Sequence, residues 1–325
     1  MSEPTVLDGL TLHPEMRLLL DIRAKRNLPP AADLPLDEFR SMALRDSIAA
    51  AGAPVPVDTV TDLTVPGSAG PLRARFYAPS AWDSLLLFFH GGAFVFGDVE
   101  SHDGVCRLLS AEGGFAVLSV EYRLSPEHRF PAAFDDAFAA WQWTVEQATT
   151  LPDAPASPQL CVGGDSAGGL LSAAVCQLAA RSAMPAPALQ VLLYPAISRD
   201  ADTTSMHLFA EGFFLTRTDI NFFEACLLGD EPDDPSDFRG HPLVGDLAGL
   251  PPAYIVTAGF DPLRDGGEAY AAALTAAGTP TVLRRYDSLI HGFVSMIGFS
   301  PTARAATVEI AHQTAELLAR SPIAR

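Results

Sequence analysis

Apolar residues fall along this chain in two rhythms. In the first 52 residues, Leu18, Leu19 and Ile22, followed by Lys25 and Arg26, sit at helical spacing, and so do Phe39, Met42, Ala43 and Ile48. The spacing predicts two helices, parted by the stretch holding Pro29, Pro30 and Pro35 and stopped by Pro54 and Pro56. From Asp58 the rhythm changes. Residues 58–65 read as a strand, and in 72–77 Leu72, Ala74 and Phe76 alternate with Arg73, Arg75 and Tyr77, as on a half-buried strand. Later strands are unbroken apolar runs, at 85–89, 115–120, 160–162, 189–194 and 253–257, with a last strand at 281–286. Such runs suit strands covered on both faces. Helical stretches at about 102–112, 132–148, 167–182 and 265–277 separate them, and 302–318 closes the chain. The alternation predicts an α/β fold, an open and mostly parallel sheet with right-handed crossovers. The first two strands are too close for a helical crossover, so they pair antiparallel at one edge.

One segment breaks the alternation. Residues 198–250 lie between two strands, exceed the length of one crossover, and are rich in acids and in phenylalanine (209, 213, 214, 222, 223 and 238). They read as an insertion.

Composition narrows the function classes. The 325 residues are 48% hydrophobic with a mean hydropathy of +0.19, enough to build a large core. A net charge of -18 repels phosphate backbones and anionic lipid, which argues against nucleic acid and against stable membrane association. Cys106, Cys161, Cys176 and Cys226 are widely spaced with no CxxC pair, so they read as buried free thiols. The first residues carry acids and no basic segment ahead of an apolar one. The expected location is therefore cytoplasmic.

The chemistry is concentrated in a few places. Gly164-Asp165-Ser166-Ala167-Gly168 follows a strand and opens a helix, the setting in which G-x-S-x-G presents a nucleophilic serine on a sharp turn. His90-Gly91-Gly92-Ala93 follows another strand, where small residues let backbone N–H groups converge on an oxyanion. His90 beside that loop reads as its structural support. A serine nucleophile needs a base and an orienting carboxylate. Of the histidines after Ser166, His207 and His241 fall in the insertion and His312 lies mid-helix, whereas His291 follows the last strand. Asp261 and Asp265 both follow the preceding strand; Asp261 comes first, and Asp265 suits the first turn of a helix.

Together these residues resemble the hormonesensitive-lipase-like family of α/β-hydrolases, the bacterial family IV carboxylesterases. The likeness runs from about 70 to 300 through His90–Asp98, Glu121–His128, Phe130–Ala133, Gly164–Gly169, Asp261–Asp265 and His291–Phe293. It implies an α/β-hydrolase fold with a mostly parallel eight-stranded sheet and a helical cap. The division is then 1–52 as N-terminal cap helices, 53–197 and 251–325 as catalytic core, and 198–250 as cap insertion. It implies a serine carboxylesterase for short- to medium-chain esters, with Ser166, His291 and Asp261 as triad. The oxyanion donors are the N–H groups of Gly92, Ala93 and Ala167, with Gly91 shaping the turn. Candidate substrate-binding residues are Phe94, Phe96, Asp165, Phe213 and Phe214. No metal or organic cofactor is implied, and a homodimer through the last strand is. The family's commonest motif has a third glycine where this chain has Ala93; a methyl group there is costly if φ is positive and narrows the acyl pocket.

Other readings remain open. The same triad serves amides, lactones or acetyl groups. A receptor on this scaffold is expected to lack a triad residue, and a metal-dependent hydrolase built on His102 and Asp103 lacks further ligands.

Overall fold

The computed structural model describes residues 5–197 and 202–320. A short hairpin, β1 (Val6–Leu7) and β2 (Leu10–Thr11), leads into helices α1 (Pro14–Arg26) and α2 (Leu36–Ala51). Then follow β3 (Thr59–Gly67), β4 (Gly70–Ala78), β5 (Ser84–Phe89), α3 (Asp103–Gly113), β6 (Ala116–Val120), α4 (Ala132–Gln147), β7 (Gln159–Asp165), α5 (Ala167–Arg181) and β8 (Gln190–Leu193). After α6 (Thr204–Leu208) and α7 (Arg217–Leu228) come β9 (Ala253–Phe260), α8 (Arg264–Ala276), β10 (Thr281–Ile290) and α9 (Pro301–Arg320).

Among the described residues, eight strands form one sheet in the order β10-β9-β8-β7-β5-β6-β4-β3. The pairs from β6 through β10 are parallel, and β3 and β4 are antiparallel at one edge, as their spacing predicts. Period-two alternation sorts the strand side chains into two cores. Leu85, Leu87 and Phe89 of β5 face α4, α5 and α8, while Leu86 and Phe88 face α1, α3 and α9. The other edge, β10, leaves Val282 and Leu283 exposed.

Three sequence expectations shift. Helix α1 buries Met16 and Leu20, not Leu18 and Ile22, which are exposed. The helix carries two apolar stripes, and the one that meets Tyr286, Leu289 and Phe293 is decided by where β10 ends. Within the 198–250 insertion, 198–201 lie outside the described residues. Its later part does not stand over the sheet's end: Pro242, Leu247 and Leu250 are buried, with Gln177 of α5 donating to the Pro242 carbonyl and Thr279 to that of Leu247. All four cysteines are free, three of them buried and Cys226 half-buried. No described helix is long and apolar enough to cross a membrane.

Candidate active site

The turn from β7 into α5 is sharp and closely packed. Ser166 sits on it at φ 54 and ψ -116, outside the helix that it caps. Its N–H donates to Leu193 O at 2.8 Å, tying the turn to β8. A Cβ on Gly164 would stand 2.3 Å from Phe89 O, and one on Gly168 only 1.8 Å from the same oxygen. Only glycine lets β5 lie this close, which is why both flank the serine.

Three side chains from three loops converge here. The Ser166 hydroxyl is 3.0 Å from His291 Nε2. His291 Nδ1 is 2.8 Å from Asp261 Oδ2. The other oxygen of that fully buried carboxylate accepts from Leu263 N–H at 2.9 Å, which fixes its plane. Asp265 does not reach the histidine; it accepts from Ser205 N–H and from Arg264 Nε in the first turn of α8. His207 pairs with Asp202, His241 with Asp233, and exposed His312 lies beside Glu112. The proton acceptor nearest Ser166 is thus His291.

The loop after β5 supplies the donors. Among the described residues, no backbone acceptor takes the N–H groups of Gly92, Ala93 or Ala167. The Gly91 N–H is engaged, donating to Asp165 Oδ1 at 2.7 Å, so Gly91 shapes the turn. Ala93 and Phe94 both have positive φ, 51 and 64, so the methyl group at 93 lies in the costly case, by about 1–2 kcal/mol relative to a right-handed residue.

Asp165 is the hub beneath this loop. Its carboxylate takes the Gly91 N–H, lies 3.2 Å from His102 Nε2, and accepts from Tyr194 OH at 3.4 Å. Burial acts to raise its pKa, but the charge and hydrogen bond of His102 and the Gly91 N–H outweigh it and hold the group below the usual carboxylate range. Tyr194 in turn packs its ring 4.8 Å from that of His291. His90 is fully buried, stacked on Tyr122 at 4.2 Å, with Nδ1 2.7 Å from Gly91 O. Burial, and then the neighbouring His102, lower its pKa from 6.5 to about 4.

That shift has a consequence for stability. A group with a depressed folded pKa contributes stability that is whole above its unfolded value, lost as pH falls from 6.5 towards 4, and gone below that. The slope in this window reaches about 1.4 kcal/mol per pH unit. In thermal melts across the window, His90→Asn is expected to start less stable than wild type and to close the gap as pH falls. A constant gap would exclude the effect.

A cavity of about 120 Å³ opens beside Ser166. Of the five candidate pocket residues, Phe94 lines it. The other four do not. Phe96 turns away onto Phe39 and Phe223, Asp165 is consumed under the loop, and Phe213 packs on Phe209 and Phe260. Phe214 lies under the Arg23 guanidinium, 4.4 Å from its ring centre. The lining comes instead from Leu215 and from one face of α7, Arg217, Ile220, Asn221, Phe223, Glu224 and Leu227. Helical spacing after the Thr216–Asp219 capping box marks that face in the sequence. Among the described residues, no group of three or more His, Cys, Asp or Glu side chains is placed to hold a metal ion, at His102 and Asp103 or elsewhere.

Residues 86–295 match a family model described as the alpha/beta hydrolase fold. The chain is 44% identical over 319 residues to a Mycobacterium tuberculosis protein named carboxylic ester hydrolase LipN, covering 94% of this chain and 83% of that one. It is 35% identical to an ethyl acetate hydrolase of Pseudomonas putida, over 88% of this chain and 93% of the relative. Among solved structures, an ester hydrolase from the metagenome of Lake Arreo, complexed with a derivative of bipyridine phosphonate, superposes with a TM-score of 0.89. That chain is 39% identical, with 94% of this chain and 98% of that one covered.

Proposed function

This chain belongs to the hormone-sensitive-lipase-like carboxylesterases of the α/β-hydrolase superfamily, and from that premise we propose how its residues divide the work. The protein is a carboxylic ester hydrolase. Ser166 Oγ attacks the ester carbonyl while His291 Nε2 takes its proton. Asp261 holds the imidazole in the tautomer with Nδ1–H and stabilises the imidazolium. The N–H groups of Gly92, Ala93 and Ala167 receive the oxyanion, and the N-terminus of α5 adds its dipole. His291 then protonates the departing alcohol. Water, deprotonated by the same imidazole, releases the acid and restores Ser166. The observation that carries this reading is the unbroken run Ser166–His291–Asp261 at 3.0 and 2.8 Å beside N–H groups with no backbone acceptor.

The cap in this reading is α2, the single helical turn Ala31–Asp33, and α7, joined by Ala31, Phe39, Val95 and Phe223 as a small apolar cluster of their own. Of these, α7 lines the cavity of about 120 Å³ beside Ser166. A cavity of that size takes a short acyl chain and has a wall. Each methylene buried there is worth about 0.8 kcal/mol, or roughly fourfold in kcat/KM, until the wall is reached. On p-nitrophenyl esters, kcat/KM is therefore expected to climb from acetyl to butyryl or hexanoyl and to fall for longer chains. Hydrolysis that keeps rising to palmitoyl would remove the assignment of this cavity to the acyl group.

A further inference from the structure

Two consecutive residues of the oxyanion loop, Ala93 and Phe94, stand in the left-handed region. Such backbone persists only where its surroundings over-determine it. Within the loop, Val95 N–H and Phe96 N–H both donate to Gly92 O, at 2.9 and 3.0 Å. Asp165 holds its start through the Gly91 N–H, and two bonds from outside reach the strained part, residues 94 and 95. Ser125 N–H donates to Phe94 O at 2.8 Å, and Arg40 Nε donates to Val95 O at 2.8 Å.

Arg40 belongs to α2, in the N-terminal segment. One of its terminal nitrogens donates to Ser125 O at 2.9 Å, and the two together clasp the Glu127 carboxylate at 2.7 and 2.8 Å. One guanidinium therefore holds Val95 directly and also holds Ser125, which donates to Phe94 O. The neighbouring residue, Phe39, presses edge-on against Phe96, with ring centres 5.2 Å apart. We propose that Arg40 is a positioning residue for the oxyanion hole: it sets the Val95 carbonyl and with it the direction of the Gly92 and Ala93 N–H groups. The N-terminal segment then takes part in the chemistry of the site. This rests on the reading of Gly92 and Ala93 as oxyanion donors.

The planar fork matters. It meets acceptors in three separate places, Val95, Ser125 and Glu127, which the point charge of lysine cannot match together. Behind the loop an open cleft of about 480 Å³, lined in part by Arg40, Phe96 and Gly97, gives a small cation access to this position.

The test measures kcat and KM for p-nitrophenyl butyrate in wild type, Arg40→Ala and Arg40→Lys, each with and without millimolar guanidinium chloride, beside thermal melts. A donor displaced by part of an ångström weakens the transition state more than the ground state, so kcat of Arg40→Ala is expected to fall about 10- to 100-fold with KM within about threefold. Arg40→Lys should lie between, and guanidinium should raise kcat of Arg40→Ala but not of wild type. A merely structural role moves the melting temperature and gives no such rescue. A folded Arg40→Ala with wild-type kcat, or a loss that neither lysine nor guanidinium repairs, overturns the inference. Should Arg40→Ala not fold, the lysine variant decides. A lowered kcat at constant KM supports the role; an unchanged kcat overturns it. The reading of the site fails separately, if Ser166→Ala hydrolyses the ester as fast as wild type.

Discussion

Ser166→Ala is expected to lower kcat for ester hydrolysis by about 10⁴- to 10⁶-fold, the scale on which a serine nucleophile and its base act as a unit. The variant keeps the fold, because alanine retains the Cβ and the Ser166 N–H bond to Leu193 O that hold the turn. What disappears is the oxygen that meets His291 Nε2 at 3.0 Å. Residual rate enhancement then comes from substrate binding and the oxyanion donors alone. Initial rates on p-nitrophenyl butyrate, with circular dichroism of both proteins, make the comparison. Mass spectrometry after treatment with an activated phosphonate adds a second reading: wild type should gain a single adduct and the variant none. A folded variant that keeps more than a small fraction of the activity would mean that another group is the nucleophile.

Asp261→Asn should cost about 10⁴-fold in kcat. The carboxylate is fully buried and accepts from both His291 Nδ1 and Leu263 N–H, so an amide there must turn one N–H₂ toward the ring or toward a donor. Turned toward the ring, it asks Nδ1 to accept, which places the proton on Nε2 and deprives Ser166 of its base. Asp265→Asn, four residues on, is the paired control. Its partners are Ser205 N–H and Arg264, so its loss should be read in the melting temperature, with kcat within about threefold, as expected for a group outside the reacting atoms. The two variants, assayed side by side over a range of substrate concentrations, choose between the carboxylates. A larger kcat effect at 265 than at 261 would refute the assignment of Asp261.

The ordering of the two aspartates was legible because the turn residues after a strand point into the strand-end crevice before the next helix begins. The same kind of reasoning failed for the pocket. Phe213 and Phe214 stand in the insertion as plausible walls, but an aromatic side chain buries equally well against any apolar neighbour. Phe213 found Phe209 and Phe260, and Phe214 found Arg23. The part of the lining that runs from Arg217 to Leu227 shares one helical face whose periodicity was present in the sequence. Nothing local says which way that face turns.

Arg40 marks the same limit at longer range. It is one of many arginines in an acidic chain, and its partners Val95, Ser125 and Glu127 lie 55 to 87 residues away. By itself, the sequence determined the α/β alternation, the antiparallel edge of β3 and β4, the glycine-lined turn at Ser166 and the order of serine, acid and histidine. All of these are local: they follow from a period of two or 3.6, from steric room at a turn, or from which residue comes first after a strand. Tertiary structure alone decided which stripe of α1 is buried, which carboxyl oxygen meets His291, what lines the cavity, and how α2 meets the oxyanion loop. Those depend on surfaces that meet only after the chain has folded, and the hydrophobic drive that brings them together has no direction of its own.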